Sequence, residues 1–137
     1  MKANELQIGD WVYYTTPKNP TPVRIGRIYV NEERGMREAN FYGNLGNDSL
    51  SESSFAPIPL TPEILEKNFE KTRGVENHYG LSDDYFEVVI SEVTDSIWQV
   101  EYANCEAHFP VCRNLVCHVH QLQNCLRLVG IDKQIVL

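Results

Sequence analysis

The sequence has no apolar run long enough to cross a membrane as a helix, which sets that class aside. Its opening, Met1-Lys2-Ala3-Asn4-Glu5-Leu6-Gln7-Ile8, lacks the apolar centre of a secretory leader, so a cytoplasmic location is expected. Basic residues are scarce: 12 Lys and Arg stand against 19 Asp and Glu, a formal net charge of −7. Neutralising phosphates with cations dominates nucleic-acid affinity. The deficit therefore ranks nucleic acid below protein as a partner, even with a local basic patch around Arg24 and Arg27. A phosphate-cradling glycine loop, a nucleophile elbow and a metalloprotease motif are also missing. No internal repeat is present, and only the serine-rich stretch 49–54 approaches low complexity. The four cysteines are expected to be reduced thiols in the cytoplasm.

What is present suits a folded domain. The 42% hydrophobic and 10% aromatic content is too high for a disordered chain. A length of 137 residues buries most of the unfolded surface without a metal or disulfide, and no cofactor is expected.

The first sixty residues read as short strands broken by turn chemistry. Ile8-Gly9-Asp10-Trp11-Val12-Tyr13-Tyr14 sets a turn ahead of an aromatic, β-favouring run. Pro17 to Pro22 is expected to be a loop, because prolines lack amide donors for a ladder. Val23 and Ile25 alternate, as do Ile28 and Val30, but the phase slips at Gly26-Arg27. A β-bulge there puts all four on one buried face. After a charged turn over Asn31 to Met36, Ala39 to Tyr42 forms a third strand, ended by Gly43-Asn44 and Gly46-Asn47. Frequent turns between short strands predict an SH3-like barrel over residues 1–60.

Residues 61–137 are expected to form an α+β lobe, compact with the barrel. Thr61-Pro62-Glu63 starts a short helix over 61–70: a capping hydroxyl, a proline at the first position and an acid against the dipole. Ile64, Leu65 and Phe69 face the core, and 71–82 reads as a polar loop. Antiparallel strands follow over 85–119. Phe86, Val88 and Ile90 share one face, as do Trp98, Val100 and Tyr102, with a turn at Thr94-Asp95-Ser96. A second pair, His108–Cys112 and Leu115–Val119, is expected to turn at Arg113-Asn114. Val119, Leu122, Leu126 and Val129 then form one stripe of a helix over 119–129, ended by Gly130. A short last strand is expected over Gln134 to Leu137.

Three segments carry a resemblance: Lys2-Ala3-Asn4-Glu5-Leu6-Gln7-Ile8-Gly9-Asp10-Trp11-Val12, Pro57-Ile58-Pro59-Leu60-Thr61 followed by Ile64-Leu65, and Val119-His120-Gln121-Leu122-Gln123-Asn124. In this order they resemble a family of short, uncharacterised proteins of gut anaerobes, often encoded in phage-like or mobile gene neighbourhoods. The resemblance implies a fold and a genomic setting; no reaction comes with it. This chain carries Cys125 where that family has a bulky apolar or aromatic residue.

Four groups of residues bear on chemistry. Cys105, His108, Cys112, Cys117, His118, His120 and Cys125 fall within 21 residues and raise a zinc hypothesis, with Cys105, His108, Cys112 and Cys117 as its ligands. Only Cys105 and His108 have knuckle spacing, and Cys117 on a strand shares the face of Leu115 and Val119 as a small hydrophobe. A thiol nucleophile, Cys112 or Cys117 with His108 or His120, needs an electropositive pocket that an acidic chain does not promise. Packing therefore outranks both. His120, Gln121, Gln123 and Asn124 give the last helix a polar start, either a recognition surface or, preferably, a tie from His120 or Asn124 to orphan amides. Trp11, Tyr13 and Tyr14 could line a groove for peptides or bases, or fill a core on alternate sides, and Tyr29 and Tyr42 could join a surface patch. The acids Asp83, Asp84, Glu87 and Glu92 read as a solvated face.

The expected fold is α+β, with an N-terminal SH3-like barrel and an antiparallel sheet carrying a C-terminal helix. The expected function is a non-enzymatic interaction module acting by protein–protein contact, with an accessory role in a phage or mobile element implied by the resemblance. Its binding surface is drawn from Trp11, Tyr13, Tyr14, His120, Gln121, Gln123 and Asn124. Nucleic-acid binding on the aromatic face is the first alternative. A zinc- or thiol-dependent enzyme built on 105–125 is the second, and DNA mimicry ranks lower because the charge is modest.

Overall fold

The computed structural model describes residues 5–16, 18–33, 36–43, 50–104 and 110–137. The fold is mixed α+β, with two antiparallel sheets and two α-helices among the described residues. The chain divides into two compact units, Met1–Ile58 and Pro59–Leu137. No helix among the described residues is long and apolar enough to cross a membrane.

The first unit is a five-stranded sheet of order β4-β3-β2-β1-β5, formed by β1 (Trp11–Tyr14), β2 (Thr21–Asn31), β3 (Met36–Phe41), β4 (Leu50–Ser51) and β5 (Phe55–Pro57). Ahead of β1, Gly9 adopts a φ of 91°, and its amide donates to the Ile25 carbonyl at 2.6 Å. Asp10 is buried there, its carboxylate accepting the Gln7 amide at 2.8 Å. The pairing of β2 with β3 shifts between Ile25 and Arg27, which is the bulge expected at Gly26. It lets Val23, Ile25 and Ile28 reach one core with Leu6, Val12, Ala39 and Phe55.

Three expectations for this unit are corrected. Val30, at the far end of the ribbon and paired with Arg37, is 60% exposed. Pro22 lies inside β2, opposite Tyr13. The β2–β3 ladder begins only at Ile25, so at Pro22 β2 has a partner strand on one side alone, where a missing amide is tolerated. Among the described residues no ladder joins β4 to β5, so the sheet is open where a closed barrel was expected. The turn over Gly46-Asn47 lies outside the described residues.

The second unit begins with α1 (Pro62–Asn68). Thr61 Oγ1 accepts from the Ile64 amide at 3.5 Å, and hydrogen bonds from Thr61 and its own backbone hold the Glu63 carboxyl below its usual range. Leu65 and Phe69 are buried. A meander follows: β6 (Glu70–Lys71), β7 (His78–Ser82), β8 (Phe86–Thr94), β9 (Ile97–Asn104) and β10 (Pro110–Val116), in order β10-β9-β8-β7-β6. The expected loop over 71–82 therefore contains β7 and the last residue of β6. Tyr79 and Leu81 alternate with His78, Gly80 and Ser82, and Tyr79 is fully buried against Trp98 at a centroid distance of 6.0 Å. Polar composition hid that period-two pattern.

The hairpin at Asp95-Ser96 forms as expected, with Ser96 at a φ of 68°. The expected turn at Arg113-Asn114 does not. β10 runs through it, pairing Arg113 with Glu101 and Asn114 with Val100, and Arg113 Nη2 meets Glu101 Oε1 at 2.6 Å. The ladder and the alternate burial of Val116 outweigh asparagine's preference for turns.

The last helix, α2 (Val119–Leu128), buries Val119, Leu122 and Leu126 of the predicted stripe, while Val129, its fourth member, caps the helix and is half-buried. It stops at Gly130, whose φ of 80° lets the Gly130 amide reach Arg127 O (3.0 Å) and the Ile131 amide reach Leu126 O (2.9 Å). The strand expected over Gln134 to Leu137 is absent. Asn68 substitutes for a strand neighbour: its Nδ2 donates to Val136 O (2.7 Å), and its Oδ1 accepts from Val136 N (2.8 Å).

Candidate functional site

Alternation along β1 divides the aromatic run Trp11-Val12-Tyr13-Tyr14. Val12 is fully buried, and Tyr14 joins the same core beside Phe41 and Phe55, at centroid distances of 5.1 and 6.1 Å. Trp11 and Tyr13, out of phase with them by one residue, lie half-buried on the other face. The three aromatics proposed from sequence thus separate into one core residue and two on the outer face.

Arg24 stands directly opposite Trp11 in the β1–β2 ladder. Its Cζ lies 5.8 Å from the Trp11 ring centroid and 5.8 Å from the Tyr42 ring centroid. A guanidinium near an aromatic ring gains about 0.5–1 kcal/mol at exposed sites. Backbone chemistry positions the second ring. The Tyr42 amide donates to Arg24 O at 2.9 Å, and the bulge at Gly26 leaves room for the tyrosine. A Cβ at Gly26 would stand 3.2 Å from Tyr42 N and 3.4 Å from Tyr42 Cδ1. Arg24 Nε is enclosed and finds no acceptor among the described residues. Tyr42 itself is 60% exposed.

The cation–aromatic clamp was only partly legible beforehand. Arg24 and Tyr42 each figured in a separate patch, but their meeting depends on hairpin register and on the bulge.

The cysteine–histidine segment is arranged differently. Cys105 and His108 lie outside the described residues. Cys112, Asn114 and Cys125 line a small pocket between α2 and the β8–β9–β10 part of the sheet of about 10 Å³, at the lower limit for a single water. Asn114 Nδ2 donates to Cys112 Sγ at 2.9 Å. Burial, with a smaller contribution from Cys112, pushes the Cys125 thiol above its ordinary value. Cys117 sits beyond the end of β10, where the buried residue is Val116 and Leu115 is 64% exposed, so the face expected for Cys117 is corrected. Among the described residues no three His, Cys, Asp or Glu side chains converge as a metal site.

The start of α2 is secured by Gln121, where His120 or Asn124 was expected. Gln121 Oε1 accepts from the Cys117 and His118 amides at 2.8 and 3.2 Å. The His118 and His120 rings stack at 5.7 Å, and His120 and Gln123 are buried at 3% and 4% exposure. Asn124 Oδ1 accepts from Arg127 Nη1 at 2.9 Å. Of the polar group proposed for recognition, two members are buried and two are engaged in local hydrogen bonds. A broad opening at Lys71–Glu76 is lined by that one loop, and Lys71 is already paired with Glu66 at 2.9 Å.

Charge separates the units as well. Residues 1–58 hold six basic and seven acidic side chains, a net −1; residues 59–137 hold six and twelve, a net −6. The clamp thus belongs to the nearly neutral part of an acidic chain. No protein-family model, curated protein or solved structure matches this chain.

Proposed function

We propose that this protein is a non-enzymatic interaction module that contacts another protein through the outer face of its first sheet. The single observation carrying this reading is Arg24 held between Trp11 and Tyr42 on that face. Tryptophan, tyrosine and arginine are the residues that most often dominate binding energy at protein interfaces. A side chain already ordered between two rings also loses less freedom on binding. Tyr13, half-buried on the same face, extends the patch. We read the unit as SH3-like. The order β4-β3-β2-β1-β5, a long β2 kinked at Gly26 and shared by two ladders, and a 3₁₀ turn over Glu52–Ser54 support that reading.

Affinity capture with the full chain tests the proposal, using wild type beside Trp11→Ala and Tyr42→Ala. A partner held by wild type and lost by both variants, at unchanged circular dichroism, is the expected result. A partner held equally by all three removes the outer face from the account. A mobility shift that weakens with salt and disappears in Trp11→Ala would transfer the face to nucleic acid.

A further inference from the structure

The guanidinium of Arg24 has an unusual set of surroundings. Its Cζ lies 5.8 Å from the Trp11 ring centroid and 5.8 Å from the Tyr42 ring centroid, so two aromatic rings flank it. Its Nε is enclosed with no acceptor, and no carboxylate or carbonyl among the described residues accepts from either Nη nitrogen. Neither Nη nitrogen is both enclosed and partnerless, and the residue is half-exposed, so part of the side chain is open to solvent. Arginine is a fork of fixed geometry, matched to a two-oxygen acceptor and to little else. Arg24 is flanked by rings, and its enclosed Nε has no acceptor.

We infer that Arg24 is an acceptor-recognition point, taking a carboxylate of an acidic segment on the protein partner end-on between Trp11 and Tyr42. This deepens, and rests on, the reading of the outer face as a protein-binding surface. Charge favours the assignment. The first unit is nearly neutral, so an acidic segment meets less repulsion there than over the second unit, whose net charge is −6. A polyanion would instead meet the −7 of the whole chain, which favours one or two carboxylates over a phosphate backbone. The rings add apolar contact around the ion pair, and a charge-assisted bond to a guanidinium is stronger than a neutral one.

The probe is an array of capped hexapeptides with random flanks and a central Glu, Gln or phosphoserine, read with the full chain. The Glu set is expected to bind about tenfold or more above the Gln set, the discrimination of a charge-assisted hydrogen-bond pair. Arg24→Gln should abolish the difference, and Arg24→Lys should lose most of it, since lysine keeps the charge but not the fork. In wild type the Arg24 Nε–Hε resonance should move with the Glu peptides and stay still with the Gln peptides. That readout needs no variant to fold. Equal binding of Glu and Gln sets, lost in Trp11→Ala, overturns carboxylate recognition and leaves the surface standing. Selective binding of the phosphoserine set overturns it in favour of phosphate. Binding by no set, or binding indifferent to Trp11, Arg24 and Tyr42, overturns both readings.

Discussion

The two units use similar residues to opposite ends. In the second, the chemically suggestive side chains are absorbed by packing: His120 and Gln123 are buried, Gln121 caps α2, and Cys112 and Cys125 close a small pocket beneath it. In the first, Trp11, Arg24 and Tyr42 form an ordered set outside the core. Size accounts for part of the contrast. Among the described residues the second unit buries fourteen apolar side chains and the first six. A larger core has places for awkward residues. A thin, open sheet leaves the residues of one face to solvent, and there they can be ordered only by one another.

The sharpest way to break this contrast is to empty the larger core. Trp98 is 1% exposed, packs on Tyr79 and donates its indole N–H to Leu60 O at 3.2 Å. Trp98→Ala should lower stability by about 3–5 kcal/mol. Among the described residues both α-helices lie in the second unit, so helical ellipticity follows that unit, while Trp11 becomes the remaining tryptophan and reports the first. Denaturant midpoints falling for ellipticity more than for Trp11 emission would sharpen the distinction; identical falls would dissolve it.

Asn68→Ala should have the next largest effect, about 1–3 kcal/mol, because it strands the Val136 amide and carbonyl and the Ile64 contact at 2.7 Å. Hydrogen exchange at the Val136 amide should rise sharply, with the first unit unaffected. Gly26→Ala follows at about 1 kcal/mol, since a Cβ presses on Tyr42 from 3.2 Å. It should also lift Tyr42 away from Arg24, seen as loss of ring-current shifts on the arginine side-chain protons.

The smallest effect belongs to Cys125. Its thiol is pushed up by burial and then by Cys112, so the folded chain holds that proton to higher pH than the unfolded chain. The associated stability is fully present below the ordinary thiol range and disappears as pH rises through the raised folded value. Under reductant, stability measured from pH 7 to 10 should fall less steeply for Cys125→Ala than for wild type. An unchanged slope would mean the thiol is not enclosed.

Much of the architecture was readable because it depends on local chemistry. The cap at Thr61, the Schellman stop at Gly130, the stripe Val119-Leu122-Leu126 and the bulge at Gly26 are all set by neighbours within a few residues. Errors came where distant partners override local preference. Asn114 reads as a turn residue until β9 lies beside it; Tyr79 and Leu81 read as loop until β8 supplies a ladder. At the candidate site, Trp11 and Tyr13 were identifiable as strand aromatics, but the alternation that sends Tyr14 into the core shows only once Phe41 and Phe55 are seen to share its side.

The sequence alone determined the class of the molecule, the periodicity of its strong elements and the places where its backbone must kink or stop. These follow from side-chain volume, hydrogen-bond inventory and glycine's access to positive φ, which each residue carries with it. Only the tertiary structure decided which polar groups are used up. Whether an arginine is a solvated charge, an ion-pair partner or a clamped open fork depends on what pairing brings beside it, and residues 11, 24 and 42 meet only across two ladders.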